Sequence, residues 1–154
     1  MEIKNILFPT DFSEGSSQAL PYAVDLTKRY GAKLYLLHVI YDVVKGGGWY
    51  VPYPAMEEMY KKFEEDAKKE IDKFAVEELS SIKVKERHVI IGVPYEEIIN
   101  FAKKNNIDLI IMGSHGRKGL NRVLLGSTAS QVIRYAPCPV LTVRIPYICT
   151  LQEG

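Results

Sequence analysis

Two cysteines, three histidines and a formal net charge of only +1 are among the things this 154-residue chain has little of. Each scarcity removes a class of function. Cys138 and Cys149 stand apart from any histidine cluster, so the ligand spacing of a zinc site is missing. With so few thiols a reducing compartment is the simplest setting, and the chain is expected in the cytoplasm. A charge near zero provides no broad cationic footprint for nucleic acid and no polybasic face for a membrane. No apolar run in the sequence approaches the roughly 20 residues that a bilayer span requires. Met1-Glu2-Ile3-Lys4-Asn5 carries an acid and a lysine and leads straight into a strand-like segment, unlike a signal peptide. No internal repeat is visible, and the length suits one domain, expected over residues 1–145 with a tail at 146–154.

What is present is an alternation of short apolar runs with helical patterns. Ile3–Phe8 reads as a strand closed by Pro9, with Thr10-Asp11-Phe12-Ser13 as the loop at its carboxyl end. Ser13 is a candidate N-cap, and Ala19, Leu20, Ala23, Val24, Thr27 and Tyr30 mark one face of the following helix. Pro21 inside that pattern predicts a late start or a kink, and Gly31 a C-cap. Lys33–Ile40 is the second strand. Tyr41–Pro54, with Gly46-Gly47-Gly48 and two prolines around Tyr53, predicts a flexible connection displaying Trp49, Tyr50 and Tyr53.

Met56–Leu79 predicts the longest helix, with Glu/Lys pairs at four-residue spacing on a solvated outer face. Lys83–Ile90 is a third strand nearer a sheet edge. A helix with Pro94 in its first turn follows and ends near Asn105-Asn106. Asp108–Met112 is a short buried strand, a helix is expected from Gly119 to about Tyr135, and Val140–Arg144 is the last strand. The order β-α-β-α-β-α-β-α-β implies a three-layer α/β/α fold around a doubly wound parallel sheet with right-handed crossovers.

The chain is organised around Met112-Gly113-Ser114-His115-Gly116 and the residues up to Thr128. A buried strand, a glycine loop and a helix N-terminus in succession present backbone N–H groups and a positive dipole end, which suits phosphate. Arg117, Lys118 and Arg122 add cations, and Ser127 and Thr128 add hydroxyl donors. Two well-known phosphate motifs are absent. Lys118 is followed by Gly119 rather than by Ser or Thr, and the loop reads Gly113-x-x-Gly116-x-x-Gly119 instead of Gly-x-Gly-x-x-Gly. Asp11, at the end of the first strand, suits hydroxyls or a magnesium ion rather than bare phosphate. Its commoner role is to cap the next helix.

The spacing Gly113-x2-Gly116-x9-Gly126-Ser127 resembles the ATP-binding signature of the universal stress protein family. The likeness extends to Ile-Leu-Phe-Pro-Thr-Asp at the start, Leu-His-Val in the second strand, and Ala-Pro-Cys-Pro-Val-Leu-Thr-Val near the end. It implies strand order 3-2-1-4-5, an adenine nucleotide alpha hydrolase-like fold, with ATP across the first and fourth strands. It implies a contact from Asp11 at the ribose or adenine, and from the Val39 backbone at the adenine edge. Met112, Gly113, His115 and Gly116 would line the ribose and first phosphate, and Pro9, Thr10 and Arg117 are counted with the nucleotide-binding residues. Gly126, Ser127 and Thr128 would hold the outer phosphates, with Mg2+ carried on the phosphates. It further implies a homodimer through Val140–Val143, an unidentified protein partner, and a regulator of stress responses with at most slow hydrolysis.

Three other readings compete. A true ATP hydrolase needs a general base, and Asp11, Glu14 and His115 are the candidates. No residue is assigned as catalytic. A nucleotide-free scaffold would use the same fold to hold a partner. An RNA-binding module is suggested by Gly116-Arg117-Lys118-Gly119, which matches the Gly-x-x-Gly loop of KH domains. That loop joins two helices, whereas this one follows a buried strand. His38 and His88, both on strands, read as structural.

Overall fold

The computed structural model describes residues 1–47, 52–115 and 125–144. The elements are β1 Asn5–Pro9, α1 Glu14–Tyr30, β2 Lys33–Tyr41, α2 Val43–Gly47, α3 Tyr53–Lys73 and α4 Val76–Leu79. They continue with β3 Val84–Gly92, α5 Pro94–Lys104, β4 Leu109–Gly113, α6 Ser127–Tyr135 and β5 Val140–Val143. All sheet pairings are parallel, and the order is β3-β2-β1-β4-β5. This is the doubly wound sheet expected from the alternation.

Successive strand residues point to opposite faces, and both faces are buried here. Ile6, Phe8, Leu34 and Leu36 pack with Ala19, Leu20 and Ala23 of α1 and Ile71 of α3. Leu7, Tyr35, Leu37 and Ile110 pack with Ile98 and Phe101 of α5 and Val132 of α6. That two-sided burial is why β1 and β4 read as unbroken apolar runs. From β1 the chain builds outward through β2 to β3, then returns to add β4 and β5 on the other side. The reversal leaves a crevice at the carboxyl ends of β1 and β4, where ligands sit in open α/β sheets.

Three expectations need correction and one is narrowed. Of the two outcomes expected from Pro21, the late start does not occur: α1 begins at Glu14, capped by Ser13, whose Oγ accepts the Ser16 amide at 3.3 Å. The carbonyl that Pro21 leaves unpaired belongs to Ser17, and both residues are exposed, so this part of the helix faces solvent. The long helix is two. α3 ends at Lys73, Phe74 is extended, and Ala75 adopts φ 50° before α4. The break turns Phe74 onto Phe8 and Phe12, with ring centroids 6.3 and 5.6 Å away.

The segment after the second strand is more ordered than its glycines suggest. β2 runs to Tyr41, and Asp42 Oδ1 caps α2 by accepting the amides of Val44 (3.0 Å) and Lys45 (3.2 Å). Trp49 and Tyr50 lie outside the described residues. Lastly, the helix that reaches Tyr135 begins at Ser127, because Gly126 is extended (ψ 154°). Residues 116–124, where the earlier start fell, are outside the described residues, as is the tail at 146–154.

Candidate functional site

The crevice is built first by how β1 ends. Thr10 is buried, and its amide donates to the Leu37 carbonyl at 2.8 Å, the last rung between β1 and β2. Its Oγ1 accepts the Phe12 amide at 3.0 Å. Asp11 Oδ1 then accepts the Ser13 amide at 3.0 Å and the Ser16 hydroxyl at 2.9 Å, while the Asp11 amide donates back to Ser16 Oγ at 3.2 Å. Asp11 therefore anchors the turn into α1 from outside the helix, while the cap itself is Ser13. Phe12 between them has φ 61°, a left-handed conformation that costs an L-residue about 1–2 kcal/mol.

β2 outlasts its neighbour. Pro9, the last residue of β1, pairs with Leu37. In a parallel ladder alternate residues direct N–H and C=O to the same side, so Val39 directs its backbone to the side of Leu37, past the end of β1. Val39 pairs with Ile90 of β3 only by position. A strand-like pair of donor and acceptor thus borders the crevice.

β4 closes the other side. A Cβ built on Gly113 would lie 2.7 Å from the Gly15 carbonyl oxygen and 3.2 Å from the Ser16 nitrogen. A Cβ on Gly15 would in turn overlap the His115 carbonyl. Backbone packs on backbone here, so both positions exclude side chains. Met112 is 6 % exposed and its side chain belongs to the core against Val132, which leaves its main chain for any ligand. Ser114 is buried; its amide donates to Val143 O at 2.9 Å and its carbonyl accepts the Gly126 amide at 2.8 Å. Ser114 Oγ lies 2.7 Å from His115 Nδ1, and the buried His115 Nε2 has no partner among the described residues.

The Ser114–Gly126 bond sets the N-terminus of α6 beside the end of β4. Gly126 is the N-cap and supplies no side-chain hydrogen bond. Among the described residues no side chain caps the first turn of α6, whose amides include those of Ser127 and Thr128. The dipole end and the donors together favour an anion. No group of three or more acids, histidines and cysteines suited to a metal occurs among the described residues.

Of the expected site residues, Pro9, Thr10, Asp11, Val39, Met112, Gly113, His115, Gly126, Ser127 and Thr128 all lie at the carboxyl ends of β1, β2 and β4 or at the start of α6. Gly116 and Arg117 lie outside the described residues. Sequence reasoning missed Gly15, whose signal was a glycine in a helix's first turn, and gave no role to Ser114, which lay inside the organising stretch.

The model of the universal stress protein family matches residues 2–144. The chain belongs to that family. It is 36% identical over 148 residues to universal stress protein MJ0531 of Methanocaldococcus jannaschii, covering 93% of this chain and 83% of that protein. It is 34% identical over 154 residues to MJ0577 of the same organism, covering 92% and 94%. Among solved structures, MJ0577 superposes with a TM-score of 0.82 over 96% of this chain and 99% of that one. UspA of Lactobacillus plantarum gives 0.80 at 30% identity, over 94% and 99%. This universal stress protein shares its fold with them. No helix among its described residues is long and apolar enough to cross a membrane.

Proposed function

We propose that this universal stress protein is a cytoplasmic regulator that binds ATP across the carboxyl ends of β1 and β4. The observation that carries this reading is the N-terminus of α6, uncapped among the described residues and tied by the Gly126–Ser114 bond to the end of β4. Phosphates would take the amides of Ser127 and Thr128, with Mg2+ arriving on the phosphates rather than in a protein cage. The Val39 backbone would pair with the adenine edge as a strand would. The unpartnered His115 Nε2 fits a ribose or phosphate oxygen.

The same reading includes a homodimer through β5. Its edge carries Val140, Leu141 and Thr142, all half-buried in the single chain, and an open strand edge is commonly covered. Function then resides in what the loaded protein binds, with turnover slow or absent.

The test is to denature freshly purified protein and identify the released small molecule by mass spectrometry. ATP at about one per chain, and a thermal shift on adding ATP with Mg2+, are expected. No released nucleotide together with no shift would overturn the reading and leave a partner-binding scaffold.

A further inference from the structure

His38 lies on β2, outside the set of ligand contacts proposed above, and its ring joins the crevice to the core. It is 9 % exposed. Its Nδ1 is 2.8 Å from the Thr10 carbonyl oxygen. A carbonyl only accepts, so Nδ1 carries the hydrogen and donates. The same ring stacks on Phe12 at 4.5 Å with an interplanar angle of 29°. One side chain therefore grips two residues of a four-residue turn: the backbone of Thr10 and the ring of Phe12.

That turn is under strain. Phe12 is one of three non-glycine residues with positive φ among the described residues. For a bulky side chain that conformation persists only where the surroundings impose it. Here they are the Thr10 Oγ1 bond to the Phe12 amide, the edge contact of Phe74, and the His38 stack. Between the two gripped residues stands Asp11. With Phe12 relaxed to negative φ, the Asp11 carboxylate would lose its registry with Ser13 and Ser16.

We propose that His38 is a positioning residue of the nucleotide site: it holds the Thr10–Ser13 turn in the strained form that presents Asp11 to the ligand. The proposal rests on the nucleotide reading for its effect on affinity, but its effect on the turn stands alone. It makes no contact with ligand necessary for His38 itself.

The experiment compares the full-length wild type with His38→Leu and His38→Asn. Leucine fills the buried site and removes the donor; asparagine places an amide nitrogen where Nδ1 stands. Hydrogen exchange is read at the Phe12 and Ser13 amides, and ATP and tripolyphosphate binding are measured calorimetrically well below the melting temperature. In His38→Leu, both turn amides should exchange about tenfold faster while core amides of α1, such as that of Ala23, keep their protection. ATP affinity should fall about tenfold and tripolyphosphate affinity stay unchanged, since α6 is untouched. His38→Asn should restore most of both.

Unchanged exchange at Phe12 and Ser13 in His38→Leu would overturn the proposal. So would equal loss of protection across the whole sheet, which marks general destabilisation. A wild type that binds no ATP would instead sink the nucleotide reading, while faster exchange confined to the turn would still establish His38 as its anchor. If His38→Leu unfolds outright, His38→Asn with Phe12→Ala decides. Loss of turn protection in Phe12→Ala and its retention in His38→Asn supports the grip, and the reverse refutes it.

Discussion

The Gly126 amide donates to the Ser114 carbonyl at 2.8 Å, so two residues separated by the whole glycine-rich stretch are held edge to edge. β4 and α6 therefore have a fixed spacing, and the start of α6 cannot drift from the end of the strand. Any ligand bound by the α6 amides is consequently held in register with Gly113.

Ser127→Asp separates helix stability from ligand binding at that point. An acid in the first turn favours the helix dipole by about 0.3–1 kcal/mol, so the urea midpoint should hold or rise. The same charge repels phosphate, and ATP affinity should fall at least tenfold by calorimetry. Undiminished affinity would place the phosphates elsewhere.

Gly113→Ala brings a methyl against the Gly15 carbonyl at 2.7 Å. Neither partner has a side chain that can rotate away, so the main chain must shift. Destabilisation of about 1–3 kcal/mol is expected in urea titration. A neutral result would show that α1 can slide on β4.

Asp42 gives a pH-dependent prediction. Desolvation, the largest single influence, acts to raise its carboxyl, but hydrogen bonds from the Lys45 amide, the Tyr60 hydroxyl and the Val44 amide together hold it below the ordinary 3.8. The unfolded chain then binds more protons in that range, so the stability due to Asp42 is complete above pH 3.8 and is lost as pH falls through the lower folded value. Asp42→Ala should cost about 1 kcal/mol at pH 7 through the lost α2 cap. The gap to wild type should narrow at pH 3, measured by urea midpoints; a gap that widens there contradicts the sign.

The proposed dimer has a test that spares the fold. Ile110 donates to Pro139 O and Ser114 to Val143 O, so odd-numbered residues of β5 face β4 and Thr142 directs its amide to the open edge. Thr142→Pro removes that outward donor without taking a rung from the sheet. Sedimentation should change from dimer to monomer with little loss of melting temperature. A variant that stays dimeric would move the interface away from β5.

Much of this architecture was legible because its signals are local. Unbroken apolar runs such as Leu7–Phe8 and Ile110–Ile111 announced strands buried on both faces, and Ser13 and Gly31 marked the ends of α1 as caps do. The break at Phe74-Ala75 was hidden because its cause is distant: Phe74 leaves α3 to reach Phe8 and Phe12, and no glycine or proline records that. α2 was hidden for the opposite reason, since glycines promised a loose loop while the single carboxylate of Asp42 caps a turn. For the site, glycine spacing located β4 and α6, yet it assigned Gly113 to a ligand alone. Its contact with Gly15 arises from tertiary packing that no one-dimensional pattern displays.

That contact has a further consequence. Most packed seams are lined by rotamers and adapt to added bulk by turning a side chain. Where Gly15 meets Gly113 and His115 the seam between α1 and β4 is main chain alone, with nothing to rotate. It behaves as a gauge does: a methyl added at either glycine must displace a strand or a helix.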